Sequence, residues 1–225
     1  MSFHAVSIVF EIIVFLFAIS VHESAHAWTA WRLGDPTAYM LGRVTLNPIK
    51  HIDPVGTILL PAIAMFTGFP VIGWAKPTPV NPRNFKNYMW DDILTSVAGP
   101  VSNFLTATAA VIALAIIAHA SPAGHAVVFN LVRGELTNAD VLMPLALLLY
   151  AAMQINVLLG VFNLIPVPPL DGSHVIRHLL PEAALAVYDR IGIWGLVILM
   201  FFGGRFLGAV MYPVLALFDS FLLRL

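Results

Sequence analysis

The chain has 225 residues, of which 60% are hydrophobic and only 10% are charged, whereas roughly 25% are charged in an average soluble protein. The formal net charge of −1 excludes the broad basic surface that a nucleic-acid-binding protein needs. The absence of cysteine excludes disulfides, thiolate nucleophiles and cysteine-ligated metal sites. This composition indicates an all-α polytopic membrane protein, in which any tightly held metal must be bound by His, Asp or Glu.

The first predicted element is a membrane span over residues 2–31, whose first twenty residues contain no Lys or Arg. His22 and His26 lie in its second half, and at the helical spacing i and i+4 both imidazoles leave one face and can share a metal. Glu23 is adjacent to the first of them and can take a proton from a water that the metal activates. Because unpaired ionisable groups are very costly at membrane depth, chance placement of these three is the weaker explanation.

The residues after this span connect it to the next long apolar segment. A turn is predicted at 33–37, because Gly ends the helix and Pro prevents it from resuming, and a short strand is predicted at 41–48. The apolar segment at 54–68 is short and interrupted by proline, and we predict that it is re-entrant or lies at the membrane interface. Three closely spaced prolines in 73–82 force an extended backbone, which indicates an extended loop or a short hairpin.

Two further spans are predicted at 92–119 and 139–163, with a polar link over 121–138 between them. The second span ends in a proline-rich sequence that leaves Asp171 on irregular backbone. Such backbone is tolerated at membrane depth only where it lines a polar cavity.

The C-terminal part is expected to be helical. A short surface helix is predicted at 174–180, and residues 187–222 form either one long helix or a hairpin of two spans that breaks at Gly203-Gly204-Arg205. No hydrophilic stretch is long enough for a soluble module. We therefore expect about four or five transmembrane helices in a single membrane-embedded domain over residues 1–225, with a core over 2–172 and a C-terminal helical part over 173–225.

The position of Asp171 constrains the topology. If Asp171 is to meet His22 and His26, the first span and the 139–163 span must end on the same side of the bilayer. A full crossing at 54–68 would place Asp171 on the wrong side.

Counting Lys and Arg gives an independent test, because short cytoplasmic loops carry an excess of them. With a re-entrant segment at 54–68, basic residues concentrate on the side of the site, whereas a full crossing leaves no bias. The site is therefore predicted to face the cytoplasm. Arg224 joins the site's side if the C-terminal part is a hairpin. The residues on the site's side are Arg32, Arg43, Lys50, Lys76, Arg83, Lys86, Arg177 and Arg190, and those on the other side are Arg133 and Arg205.

A catalytic zinc needs three protein ligands and one open position for water, and His22, His26 and Asp171 supply that count. The metal makes the water acidic enough for Glu23 to deprotonate it, and Glu23 can later return the proton to the leaving amine. Asp171 alone is also compatible with ordinary Asp-Gly turn chemistry. Ligand type predicts one zinc per chain, although iron or cobalt would fit the same ligands.

Five further residues are candidates for binding substrate or for supporting the metal ligands. Asn163 could contact a ligand or the substrate backbone, or it could cap its own helix end. Asn103 and Gly99 could line the substrate path or serve close packing between helices, and Gly172 follows Asp171 directly. His174 either supports Asp171 or is a solvated interfacial residue. The remaining histidines are interpreted as ordinary residues of helix ends or loops: His4, His51, His119, His125 and His178.

Three motifs stand out in the sequence: His22-Glu23-Ser24-Ala25-His26, Ala98-Gly99-Pro100-Val101-Ser102-Asn103 and Asn163-x-x-Pro166-x-x-x-x-Asp171-Gly172. Together they resemble the motifs of the site-2 protease family, whose members are intramembrane zinc metalloproteases of the peptidase M50 type. The resemblance implies that His22, His26 and Asp171 bind zinc, that Glu23 is catalytic, and that 73–82 is an extended loop that can hold a substrate as an added strand. The chain resembles a compact form without PDZ or CBS modules. The third motif is far more specific than the first, and Ala25 stands where Gly is frequent in the family.

The resemblance implies an enzyme that hydrolyses peptide bonds within or beside transmembrane segments of other proteins. We expect it in a prokaryotic inner membrane, with the active site toward the cytoplasm, a transmembrane protein or peptide as substrate, and the lipid bilayer as its surroundings. The alternative is a membrane metal-ion transporter that uses the same His/Asp site, although no second half of a polar pathway is apparent. A catalytically inactive relative would usually lack Glu23, which is present.

Overall fold

The computed structural model describes residues 3–59, 63, 74–135 and 141–225, and within these ranges the chain forms eight α-helices and no strand. Four of the helices are long and apolar enough to cross a membrane, or five if the two halves of one bent helix are taken as a span. The all-α polytopic prediction is thus confirmed. The helices are α1 (Phe3–Leu33), α2 (Thr37–Met40), α3 (Tyr88–Ala120), α4 (Pro122–Val132), α5 (Met143–Asn163), α6 (Gly172–Arg177), α7 (Glu182–Phe202) and α8 (Gly204–Leu222).

Helices α1, α3 and α5 pack together as the centre of the molecule. The C-terminal half of α1 meets the N-terminal part of α3, since His26 contacts Thr95, and Asp171 joins them just after α5. We call this end of the bundle the site end. The opposite end, called the distal end, is marked by Leu131 and Met143.

The turn predicted at 33–37 is present and fixes how the chain leaves α1. Gly34 has a φ of 114°, a left-handed conformation that glycine adopts without steric cost. Asp35 follows it and is fully buried. The backbone N–H of Asn81 donates to the Asp35 carboxylate, so the end of α1 is joined to residues that precede α3.

The strand predicted at 41–48 is wrong. These residues form turns, followed by a 3₁₀ turn at Pro48–Lys50. A strand needs a neighbour for its backbone groups, and here the N–H of Arg43 bonds locally to the carbonyl of Ala38 while its side chain reaches two other carbonyls.

The segments predicted at 54–68 and 73–82 are described only in part. Pro54–Leu59 is a π-helix, whereas residues 60–62 and 64–73 lie outside the described residues. Residues 74–81 are extended as predicted, but no strand pairing forms a hairpin among the described residues. The N–H of Lys76 donates to the carbonyl of His51 (2.9 Å) and that of Trp74 to Gly56 (3.3 Å). Residues 51–56 and 74–76 are therefore in direct backbone contact.

The polar link predicted at 121–138 instead contains a helix, α4. Ser121 accepts a hydrogen bond from the Gly124 N–H at its start, and Pro122 occupies the first helical position, where proline is favoured. Val127, Val128 and Leu131 are buried in the apolar cluster at the distal end. Their burial stabilises the short helix.

The C-terminal part breaks where predicted, at Gly203 between α7 and α8. A second bend, of 65°, divides α7 at Gly192, whose φ is +43°. Helix α8 ends toward the distal end, because it contacts α4 and because Tyr150, in the first half of α5, donates to Asp219 near the end of α8. Arg224 therefore lies at that end. Arg205 lies at the start of α8, about 28 Å away along a 19-residue helix. The prediction that Arg205 shares the side of Arg133 is therefore wrong.

Candidate metal centre

Two imidazoles and a carboxylate meet at the site end. His22 Nε2 and His26 Nε2 are 3.0 Å apart, and Asp171 Oδ2 lies 3.1 Å from the first and 3.4 Å from the second. A tetrahedral zinc with bonds of about 2.0–2.1 Å separates its ligand atoms by roughly 3.3 Å, so the triangle has the size of a zinc site. No other group of three such side chains within the described residues could hold a metal ion.

His22 is oriented by a chain of buried amides. Its Nδ1–H donates to Asn103 Oδ1 (2.6 Å), and Asn103 Nδ2 donates to Asn156 Oδ1 (2.8 Å). Using Nδ1–H in this way leaves the lone pair of Nε2 directed at the centre, as a metal ligand needs. Asn103 is fully buried beneath the histidine. It supports a candidate ligand rather than lining a path for substrate.

His26 is oriented by the backbone of α3. Its Nδ1–H donates to the carbonyl of Thr95 (2.7 Å). One turn further on, a Cβ on Gly99 would lie 2.4 Å from His26 Nε2 and 2.6 Å from His22 Cε1. Gly99 therefore permits α3 to lie against both rings, which is the close-packing interpretation of this residue.

Asp171 lies on irregular backbone at the start of α6. Its Oδ2 is buried and has no hydrogen-bond partner among the described residues, although a buried carboxylate oxygen without a partner is costly. It faces two nitrogens that present lone pairs. This orphaned acceptor and the two lone pairs fit a cation. A Cβ on Gly172 would lie 2.2 Å from the carbonyl oxygen of Leu164, so glycine allows α6 to turn against the end of α5.

The extended segment reaches Glu23. The N–H of Thr78 donates to Glu23 Oε2 (2.9 Å), and Thr78 Oγ1 donates to the Glu23 carbonyl (3.0 Å). The proline pattern indicated an extended segment near the site, but nothing in the sequence pairs Thr78 with Glu23.

Asn163 forms its side-chain hydrogen bond within its own helix. Its Nδ2 donates to the carbonyl of Leu159 in its own helix (3.0 Å). Within the described part of the chain, no hydrogen bond joins it to His22, His26 or Asp171.

One polar cluster was missed in the sequence. His178 Nε2 lies 2.8 Å and His174 Nδ1 lies 3.4 Å from Asp92 Oδ2. This cluster joins the end of α6, which begins directly after Asp171, to α3. The i and i+4 spacing of the two histidines was the only signal, and it does not identify Asp92 as their partner. His178, whose side chain is 9% exposed, is therefore a partner of Asp92 rather than an ordinary loop residue.

Comparisons with known proteins identify the family and several relatives. The model of "Peptidase family M50" matches residues 10–202. The provisionally named zinc metalloprotease YwhC of Bacillus subtilis (strain 168) is 36% identical over 205 residues, which cover 91% of this chain and 84% of that protein. The provisionally named zinc metalloprotease Rip2 of Mycolicibacterium smegmatis is 29% identical, and the match covers 82% of this chain and 62% of that protein. Rip2 of Mycobacterium tuberculosis H37Rv is also 29% identical, and the match covers 87% of this chain and 69% of that protein. No solved structure shows a significant match.

Proposed function

The chain belongs to peptidase family M50, the family of the site-2 proteases, and we propose that it hydrolyses peptide bonds within or beside transmembrane segments of other membrane proteins. One observation carries this proposal. A three-ligand metal geometry with an orphaned carboxylate oxygen lies inside a multi-pass bundle of membrane-spanning helices. The relatives' names support a metalloprotease and give the transporter alternative no support.

We propose one zinc per chain, held by His22 Nε2, His26 Nε2 and Asp171 Oδ2 with a fourth position open. When bound, zinc supplies Lewis-acid chemistry, since it polarises the scissile carbonyl and makes the attacking water more acidic. The protein's contribution is orientation. Asn103 and the Thr95 carbonyl keep both imidazoles in the tautomer that binds through Nε2.

Glu23 is the proposed general base and general acid. It would accept a proton from the attacking water and return it to the leaving amine. The Thr78 N–H occupies Oε2 and so fixes the direction of the carboxylate. Oε1 has no hydrogen bond in the described part of the chain, which leaves it available for the proton.

The extended residues 74–81 are the proposed substrate support. A transmembrane substrate must unwind before its peptide bond can be attacked, and its freed backbone groups then need partners. The extended segment passes Glu23 at Thr78, so a substrate strand added along it would run beside the proposed base. The proposed location is a bacterial inner membrane, with the site end toward the cytoplasm.

The test compares the parent with Glu23→Gln in proteoliposomes that contain a transmembrane test substrate. Cleavage is expected to fall by roughly 10²–10⁴-fold, because Gln cannot take the proton. Bound zinc, counted by mass spectrometry of the metal, is expected to stay near one per chain. Glu135→Gln makes the same change at an exposed position near the distal end and should cleave like the parent. Undiminished cleavage by Glu23→Gln would exclude Glu23 as the base. Cleavage by protein that contains no zinc would exclude a role of zinc in the reaction.

A further inference from the structure

A second concave site lies outside the metal centre, between the Pro48–Lys50 turn and the extended segment. This cavity has a volume of about 450 Å³ and is lined by three basic residues, Arg43, Lys50 and Lys76, by two apolar ones, Leu41 and Ile49, and by two prolines. No carboxylate of the part of the chain that the structure describes lines it. Within the described residues, none of the three basic side chains has an acidic partner within 4 Å, since every ion pair involves other groups.

Arg43 gives the cavity a fixed charge. Its residue surface is only 6% exposed, although a buried cation is costly without a counter-charge. The guanidinium donates to the carbonyls of Lys50 and Pro77, which satisfy hydrogen bonds but do not neutralise the charge. Further N–H groups of the guanidinium remain for another acceptor. The cavity thus favours an anion with several oxygen acceptors.

The rim of the cavity is apolar and lies close to the end of a membrane span. Leu41 and Ile49 are 60% and 76% exposed. They follow the end of α1, where Trp31 stacks on Tyr39. Trp and Tyr at the end of a span mark the membrane–water interface. Exposed Leu and Ile at that depth can contact acyl chains, while Lys and Arg contact the headgroup phosphate.

We propose that this cavity binds an anionic phospholipid, with its phosphate against Arg43, Lys50 and Lys76 and its acyl chains against Leu41 and Ile49. A free phosphate would match the cations but would leave the apolar rim exposed. An acidic segment of a protein substrate would match the charge, but it has no need of an apolar rim at membrane depth. The charge and the rim together favour the lipid. Pro77, which contacts Arg43, directly precedes Thr78, so the bound lipid lies next to the contact that orients Glu23.

The test measures binding of phosphatidylglycerol and phosphatidylcholine to the full chain by native mass spectrometry from detergent micelles. The parent is expected to bind one phosphatidylglycerol more tightly than phosphatidylcholine. Lys50→Gln combined with Lys76→Gln should weaken phosphatidylglycerol binding at least about fivefold, because each lysine near the phosphate contributes to attraction. The double change spares Arg43, whose bonds to two carbonyls are part of the local fold. The matched control is Arg83→Gln combined with Lys86→Gln, which removes the same charge near the same end from residues that do not line the cavity.

Three results would overturn the proposal. Equal binding of both lipids by the parent would remove the anion preference, and an equal loss in both double variants would show a diffuse charge effect. Displacement of phosphatidylglycerol by equimolar inorganic phosphate or an acidic peptide would identify a soluble anion or a protein segment as the ligand. The double variant Leu41→Ser with Ile49→Ser tests the contact between the apolar rim and the acyl chains. It should weaken lipid binding without changing the charge of the cavity. Glu23→Gln should bind lipid like the parent. The lipid-binding proposal can therefore fail independently of the proposed proteolysis.

Discussion

Gly99 determines how closely α3 can approach the candidate ligands. A Cβ at this position would lie 2.4 Å from His26 Nε2, and neither ring can withdraw easily because each Nδ1 is already bonded, to Asn103 or to the Thr95 carbonyl. We predict that Gly99→Ala weakens zinc affinity at least about tenfold, because it displaces the ligand atoms. Affinity is measured by competition with a chromogenic chelator.

The matched control for this change is Gly204→Ala, since a Cβ on Gly204 would meet nothing within 4 Å. It should leave zinc affinity unchanged. A folded Gly99→Ala chain with the parent's affinity would show that the rings have room that the structure does not give them.

Two asparagines from the sequence motifs have different hydrogen-bond partners in the structure. Asn103 bonds to His22, whereas Asn163 bonds to its own helix. Asn103→Ala is expected to lower zinc affinity by roughly 10–100-fold, because loss of the partner of His22 frees its ring and tautomer. Asn163→Ala should keep the parent's zinc affinity. The same chelator competition decides between them, and equal effects of the two changes would contradict this assignment.

At the scale of elements, one carboxylate joins the end of α1 to the residues before α3. Asp35 accepts hydrogen bonds from Thr37, from the Asn81 N–H (2.7 Å) and from Asn84 Nδ2 (2.7 Å). Burial alone would raise the pKa of Asp35, but these donors stabilise the anion and lower the pKa below its ordinary value of 3.8. A carboxyl whose pKa is lower in the folded state stabilises the fold above pH 3.8 and loses that contribution as the pH falls through its folded-state pKa.

We therefore predict that Asp35→Asn lowers stability at pH 7 by roughly 1–3 kcal/mol and flattens the dependence of stability on pH in the acid range. The amide nitrogen of Asn would face the same donors and cannot titrate. Thermal unfolding in detergent from pH 7 to pH 3 measures both effects. Asp189→Asn, which alters a half-exposed ion pair with Arg177, should reproduce the parent curve within about 0.5 kcal/mol. Parallel curves for the parent and Asp35→Asn would contradict the role of this carboxylate.

Local sequence signals predicted the elements that local chemistry determines. Long apolar runs identified the spans, Gly34 and Gly203 marked a helix end and a break, and closely spaced prolines indicated the extended segment. The errors concern elements that depend on distant partners. Residues 41–48, predicted as a strand, have no neighbouring strand among the described residues. Helix α4 forms because Val127 packs in a cluster built from other helices.

In the candidate site, too, the local features were predicted and the long-range contacts were not. The i and i+4 spacing brought His22 and His26 to one face, and the requirement of a third ligand selected Asp171, with which the geometry agrees. The contacts between elements could not be predicted from the sequence, because each joins residues that are far apart in the chain. Thr78 with Glu23, Asn103 with His22 and Asp92 with His178 are separated by 55, 81 and 86 residues.

At the scale of the whole molecule, the two ends of the bundle differ in their number of Lys and Arg residues. The eight basic residues placed by the sequence at the site end contrast with Arg133 and Arg224 at the distal end. Because Lys and Arg concentrate in short cytoplasmic loops, the site end is predicted to face the cytoplasm. A peptide bond would then be cut near the cytoplasmic surface.

This orientation can be tested directly because the chain contains no cysteine. Arg83→Cys marks the site end and Arg133→Cys the distal end, and both positions are exposed. In intact bacterial cells, a maleimide that cannot cross the inner membrane should label the chain with Arg133→Cys and not the chain with Arg83→Cys. After the membrane is opened, both should react, which controls for accessibility. The reverse pattern in intact cells would place the site end outside. Labelling of both positions before lysis would mean that they share a face, which the crossing of α3 between them forbids.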